Sequence, residues 1–144
     1  MARIDRKRLD SARFQVSIEV PIRIDDLDMQ GHVNNASAMV LLQEARAAFN
    51  RTAGLGALMG DLRAMVAGHT VEYAGEINHP GSVEIRTGVL AVGRTSFTLG
   101  QVARQGGLSK LYAQSVMVLT DANGPATIPD ALRAAYERFL LGGG

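Results

Sequence analysis

The sequence predicts an α+β domain in which one long, largely buried helix packs against a curved antiparallel sheet of about five strands. Three observations point there. Residues 14–24 alternate apolar and polar side chains with the period of two that a half-buried strand shows. Residues 36–53 carry apolar side chains at the three- and four-residue spacing of one helix face. Four further strand-like segments then follow, punctuated by turn signals, before a short terminal helix. A single helix laid across an antiparallel sheet lets each element bury its apolar face against the other.

Taken in order, residues 1–13 are polar and charged and read as an N-terminal extension without the apolar core of a secretory signal. The folded domain spans 14–141, and Gly142-Gly143-Gly144 reads as a flexible tail. Phe14, Val16, Ile18, Val20, Ile22 and Ile24 supply the buried face of the first strand. Pro21 has no N–H to give to a ladder and is expected near a strand end or sheet edge. Ala38, Leu41, Leu42, Ala45, Ala48 and Phe49 form the buried helix face, and Gly54 stops the helix. Residues 55–62 make a short irregular or helical connection.

His69, Val71, Tyr73 and Ile77 then alternate with polar neighbours, as do Val83, Ile85, Thr87 and Val89. Segments 95–104 and 108–120 complete four strands expected to meander, with turns at 78–81, 93 and 105–107. Residues 129–141 read as a short terminal helix, with Ile128-Pro129-Asp130 as its start. A sheet of this size leaves open edges, which self-association covers, so at least a dimer is expected.

Composition narrows the function classes. A chain of 144 residues with 47% hydrophobic and 20% charged side chains is long enough and apolar enough to bury one real core. A net charge of +1 gives no electrostatic reason to expect nucleic acid or an anionic membrane as partner. The absence of Cys removes disulfides, thiolate metal sites and a Cys nucleophile. No apolar run approaches the roughly 18–20 residues of a membrane span. A soluble, cytoplasmic protein is the expectation.

The chemistry concentrates between the first strand and the long helix. Arg23 to Asn35 packs three acids, a Gly-His pair and two Asn residues into one turn. Asp and Asn are favoured in turns and at helix N-caps, so each residue alone has a purely structural explanation. Together they place carboxylates beside unpaired backbone donors at a helix N-terminus, which suits attack on a carbonyl. Gly31 would let backbone approach a ligand closely.

The run Asp26-Leu27-Asp28-Met29-Gln30-Gly31-His32-Val33-Asn34-Asn35, continued by Glu44-Ala45-Arg46, resembles the signature of the 4-hydroxybenzoyl-CoA thioesterase-like branch of the hotdog superfamily. Val71-Glu72-Tyr73, Pro80-Gly81, Val92-Gly93-Arg94-Thr95-Ser96-Phe97 and Ile128-Pro129 resemble other stretches of that family, and the likeness spans roughly residues 14–140. The resemblance implies a hotdog fold, active sites at a dimer interface in a homodimer or dimer of dimers, and hydrolysis of acyl-CoA to free acid and CoA, without cofactor or metal.

By position, it makes Asp28 the catalytic carboxylate, as nucleophile or general base, and the backbone N–H at Asn35 the oxyanion donor. It gives Asp26, Gly31, His32 and Asn34 supporting roles in the turn, and puts Arg94, Thr95 and Ser96 in a segment that contacts CoA. Glu44, on the other side of the helix from Asn35, is expected to be a buried or interface acid paired with an Arg such as Arg51 rather than a catalyst. The branch commonly carries an aromatic residue where this chain has Ala38, so Ala38 is expected to leave room for an acyl group. Three other readings stay open: an acyl-carrier-protein thioesterase, a non-catalytic acyl-CoA or effector-binding module, and a hotdog hydratase.

Overall fold

The computed structural model describes residues 3–142; residues 1 and 2 of the N-terminal extension and Gly143 and Gly144 of the tail lie outside the described residues. Its elements are α1 (Arg6–Ser11), β1 (Val16–Pro21), α2 (Asn35–Ala53), α3 (Leu55–Met59), β2 (Arg63–Tyr73), β3 (Ser82–Val92), β4 (Ser96–Gln105), β5 (Leu108–Asp121), β6 (Gly124–Pro125) and α4 (Asp130–Glu137). The sheet is antiparallel with strand order β1-β3-β4-β5-β2, and the two-residue β6 pairs with β5. It wraps around α2 in the hotdog arrangement that the sequence led us to expect.

Two expectations about the strands are corrected. Only β3, β4 and β5 meander; β2 pairs with β5, from Arg63↔Thr120 to Tyr73↔Leu111, and not with β3. Helix α2 packs on β1 and β3, and after α3 the chain enters β2 at the edge of the sheet opposite β1. Further, the alternation of the first strand ends one turn earlier than expected. Ile22 is buried, but Ile24 opens a single 3-10 turn (Ile24–Asp26) and is 73% exposed. Pro21 does close β1, the strand at the other edge.

The core has two compartments on the helix side of the sheet. One gathers Phe49, Val89, Phe97, Leu99, Leu132 and Tyr136, with the Phe97 and Tyr136 rings stacked 4.1 Å apart. The other gathers Ala38, Leu41, Leu42, Ile77, Ile85 and Leu111. A polar seam runs between them. The fully buried Gln101 donates from Nε2 to the Leu42 carbonyl (3.0 Å) and to Thr87 Oγ1 (3.1 Å), while Arg46 Nη1 donates to its Oε1 at 3.4 Å. One row along, His69 Nδ1 lies 2.8 Å from the Ser115 hydroxyl, its register partner across β2 and β5. Each polar group of this seam thereby has a partner, as burial demands.

The outer face of the sheet is covered by the two ends of the chain, in a third cluster that includes Ile4, Leu9, Val102, Tyr112 and Leu141. The extension is therefore partly helical. Asp5 caps α1 by accepting from the Arg8 N–H at 3.0 Å, and Glu72 of β2 accepts from the Ile4 N–H (3.0 Å) and Arg6 Nε (2.7 Å). Glycine makes this docking possible. Gly88 and Gly100 are register partners, and a Cβ on Gly100 would stand 2.8 Å from Leu9 Cδ2, one on Gly88 2.5 Å from Leu141 Cδ2.

Candidate active site

The turn between β1 and α2 is built by its own acids. The Asp26 carboxylate is buried and accepts from the Arg23 N–H at 2.9 Å, with the Arg23 guanidinium 3.6 Å away. Its carbonyl accepts from the Asn34 N–H at 2.9 Å, which closes the loop at its base. Asn34 is the N-cap of α2: its side-chain oxygen accepts from the Ser37 N–H at 2.8 Å. Ser37 is thus satisfied, whereas the Asn35 and Ala36 N–H groups at the helix start have no acceptor among the described residues.

Asp28 occupies the loop tip. Its Oδ1 accepts from the backbone N–H groups of Gln30 (2.9 Å) and His32 (3.2 Å), and its N–H donates to the His32 carbonyl at 2.8 Å. The second carboxylate oxygen has no hydrogen-bond donor among the described residues. Gly31 donates to the Asp28 carbonyl at 3.1 Å with φ 81°. A Cβ there would meet no protein atom within 4 Å, and the left-handed backbone is one that glycine adopts without strain.

A pocket of about 340 Å³ opens beside this loop, lined by Asp28, His32, Val33, Asn35, Ala38, Tyr73, Gly75, Glu76, Ile77 and Leu111. It holds the expected carboxylate and the free helix N-terminus together, and its walls are mainly apolar. Ala38 is buried and forms part of the wall. His32 fixes the turn: its backbone bridges to Asn78, and Nε2 lies 3.0 Å from Glu76 Oε2.

Other sequence candidates stand elsewhere. Arg94 is exposed in the β3–β4 turn, where Nη1 donates to Thr127 Oγ1 (3.4 Å) and its carbonyl accepts from the Ile128 N–H (2.9 Å). The Thr95 carbonyl accepts from Leu119 N–H, and the Ser96 carbonyl from Gly93 N–H. Ser96 pairs with Val118, and Leu111 by the pocket lies seven residues away on the same strand. At about 3.3 Å per residue that is roughly 23 Å. Within one chain, then, Arg94, Thr95 and Ser96 are not brought to Asp28. Glu44 lines a different, larger groove between β1 and α2, together with Arg51. It is exposed and forms no ion pair among the described residues of the single chain, so it is not the buried acid of the two alternatives expected.

Tyr73, Glu76, Ile77 and Leu111 were not legible as site residues. They reach the pocket through the β2–β3 connection and the start of β5, with no local signature. No set of three or more His, Asp or Glu side chains among the described residues is placed to share a metal ion. No helix among them is long and apolar enough to cross a membrane.

A long helix wrapped by an antiparallel sheet, with an acidic loop at its N-terminus beside an apolar pocket, defines a hotdog-fold protein. The model of the thioesterase-like superfamily matches residues 22–136, and the chain belongs to that family. Among solved structures, it is similar to a thioesterase of Thermus thermophilus, a structure in complex with coenzyme A and Zn. The identity is 27%, with 88% of this chain and 95% of that one covered and a TM-score of 0.78. It is also similar to YbaW, a probable thioesterase of Escherichia coli, at 21% identity over 86% of this chain and 98% of that one, with a TM-score of 0.78. No curated protein matches the chain.

Proposed function

We propose that this protein hydrolyses acyl-CoA thioesters to free acid and CoA. One observation carries the reading: Asp28, with an oxygen that has no donor among the described residues, lines the same apolar pocket as Asn35, whose N–H at the start of α2 has no acceptor among them. An acyl group against Val33, Ala38, Ile77 and Leu111, which line the pocket with Asn35, would bring the thioester carbonyl toward the N–H groups at the start of α2. Those donors, aligned with the helix dipole, stabilise the negative oxygen that develops on attack.

Asp28 acts as general base in the simpler version. It takes a proton from water as the oxygen bonds to the carbonyl carbon. Collapse of the tetrahedral intermediate then breaks the carbon–sulfur bond and releases CoA as thiolate, which recovers the proton. In the alternative version the carboxylate attacks the carbon itself, the carbon–sulfur bond breaks to release CoA as thiolate, and water hydrolyses the resulting anhydride to the free acid and the Asp28 carboxylate.

The carrier follows from two lines of support. The Thermus thermophilus relative was solved with coenzyme A. Arg94, Thr95 and Ser96 match a CoA-contacting segment, and a dimer built through β2 would put them to use. β2 is an edge strand with Met65, Val66 and Tyr73 exposed, an unusual amount of apolar surface for an edge left open. Two copies paired antiparallel along β2 would lay the Met65 end of one beside the Tyr73 end of the other. The partner's β3–β4 turn would then approach this chain's Asp28 pocket.

The test is thiol release from a panel of short, long and aryl acyl-CoA esters, wild type beside Asp28→Asn. Turnover that falls by about 100-fold or more in the variant supports the reading. An Asp28→Asn protein as fast as wild type, or tight acyl-CoA binding with no turnover, sinks it.

A further inference from the structure

The loop that carries Asp28 is clasped to the β2–β3 connection at three points. The Val33 N–H donates to the Ile77 carbonyl at 3.1 Å, the His32 backbone bridges to Asn78, and His32 Nε2 meets Glu76 Oε2 at 3.0 Å. The first two are main-chain contacts that any sequence could make. The third is chosen by side chains, and it acts on a residue with a second task. His32 is the residue whose N–H donates to Asp28 Oδ1 and whose carbonyl accepts from the Asp28 N–H. Whatever fixes His32 therefore fixes the Asp28 carboxylate.

We propose that Glu76 is a positioning residue for Asp28, acting through His32. The inference rests on the reading of Asp28 as the catalytic carboxylate. By holding the imidazole, Glu76 keeps the His32 amide aimed at Oδ1 and so leaves the other oxygen turned to the pocket. Lys110 also stands by this connection, with its stem packed over Gly75. It forms no ion pair with Glu76 among the described residues, so His32 is the partner of that carboxylate.

Two measurements on wild type, Glu76→Gln, Glu76→Asp and Asp28→Asn separate this inference from the reading below it. The first is amide hydrogen exchange at Gln30 and His32, which needs no substrate. Glu76→Gln is expected to speed exchange at both amides by up to about five-fold, the scale of an exposed ion pair. Glu76→Asp is expected to restore part of the protection. The second is steady-state kinetics on the best acyl-CoA ester. Glu76→Gln is expected to lower kcat by up to about five-fold with KM within about two-fold, because geometry at the reacting atoms is lost and pocket contacts are kept. Unchanged exchange in Glu76→Gln overturns the inference even if no ester is turned over. Wild-type kcat in Glu76→Gln beside a dead Asp28→Asn overturns it and leaves the thioesterase reading standing.

Discussion

Asp26 and Asp28 stand two residues apart in one turn and face opposite ways: the Asp26 carboxylate is 4% exposed and bonded to Arg23, while Asp28 is exposed at the pocket. Their substitutions should therefore separate stability from chemistry. Asp26→Ala leaves the Arg23 N–H without its acceptor and is expected to cost about 1–3 kcal/mol of stability. Asp28→Asn keeps an oxygen for the Gln30 and His32 N–H groups and is expected to leave Tm nearly unchanged while abolishing most turnover. Thermal melts of the two variants beside their activities check this.

Asn34 invites a similar separation. Asn34→Ala removes the cap on Ser37 and is expected to cost about 1 kcal/mol. Asn34→Asp keeps an acceptor of equal quality but adds a negative charge beside the free Asn35 and Ala36 donors. It is expected to melt with the wild type and to lose at least about ten-fold in kcat, because the charge repels the developing oxyanion.

If each pocket takes Asp28 from one chain and Arg94 from the other, two damaged proteins should rescue each other. A heterodimer of Asp28→Asn and Arg94→Ala chains holds one site with both changes and one with neither. Such a heterodimer, purified with two different tags, is expected to recover activity at low substrate that neither homodimer has. Recovery no greater than the sum of the homodimers would place both residues in one chain's site.

How much of this was legible in the sequence depends on how local the cause was. The turn from Asp26 to Asn35 was legible because capping, turn geometry and the helix start are all written within ten adjacent residues. The buried face of α2 was legible for the same reason. The start of β2 was not: Met65 and Val66 are both exposed in an edge strand, and a bulge between Val66 and Gly68 breaks the alternation. Nor was its pairing with β5, which is set by where α2 and α3 deliver the chain. Helix α1 is six residues long with Leu9 as its buried side chain, too little for a periodic pattern. The contact of His32 with Glu76 exists only because distant segments meet.

His69 makes stability depend on pH. Burial, reinforced by the Arg46 guanidinium, pushes its imidazole below the usual 6.5. The unfolded chain thus binds a proton at a higher pH than the folded one. Stability is full above about pH 6.5, falls as pH drops below it, and levels off beneath the folded value. His69→Gln is expected to flatten the dependence of Tm on pH between 7 and 5. An equally steep profile in the variant would assign it to other groups.

The seam of Gln101, Thr87 and Arg46 also bears on how such a protein can change. It partitions the core, so the compartment around Ala38, Ile77 and Leu111 borders the pocket, while the one around Phe49, Phe97 and Tyr136 does not. Side chains on the pocket side can be enlarged or trimmed to suit a new acyl group while the aromatic side continues to hold helix and sheet together. Substrate range and foldability are thereby placed under separate sets of residues, which gives selection, or a designer, freedom to alter one with little damage to the other.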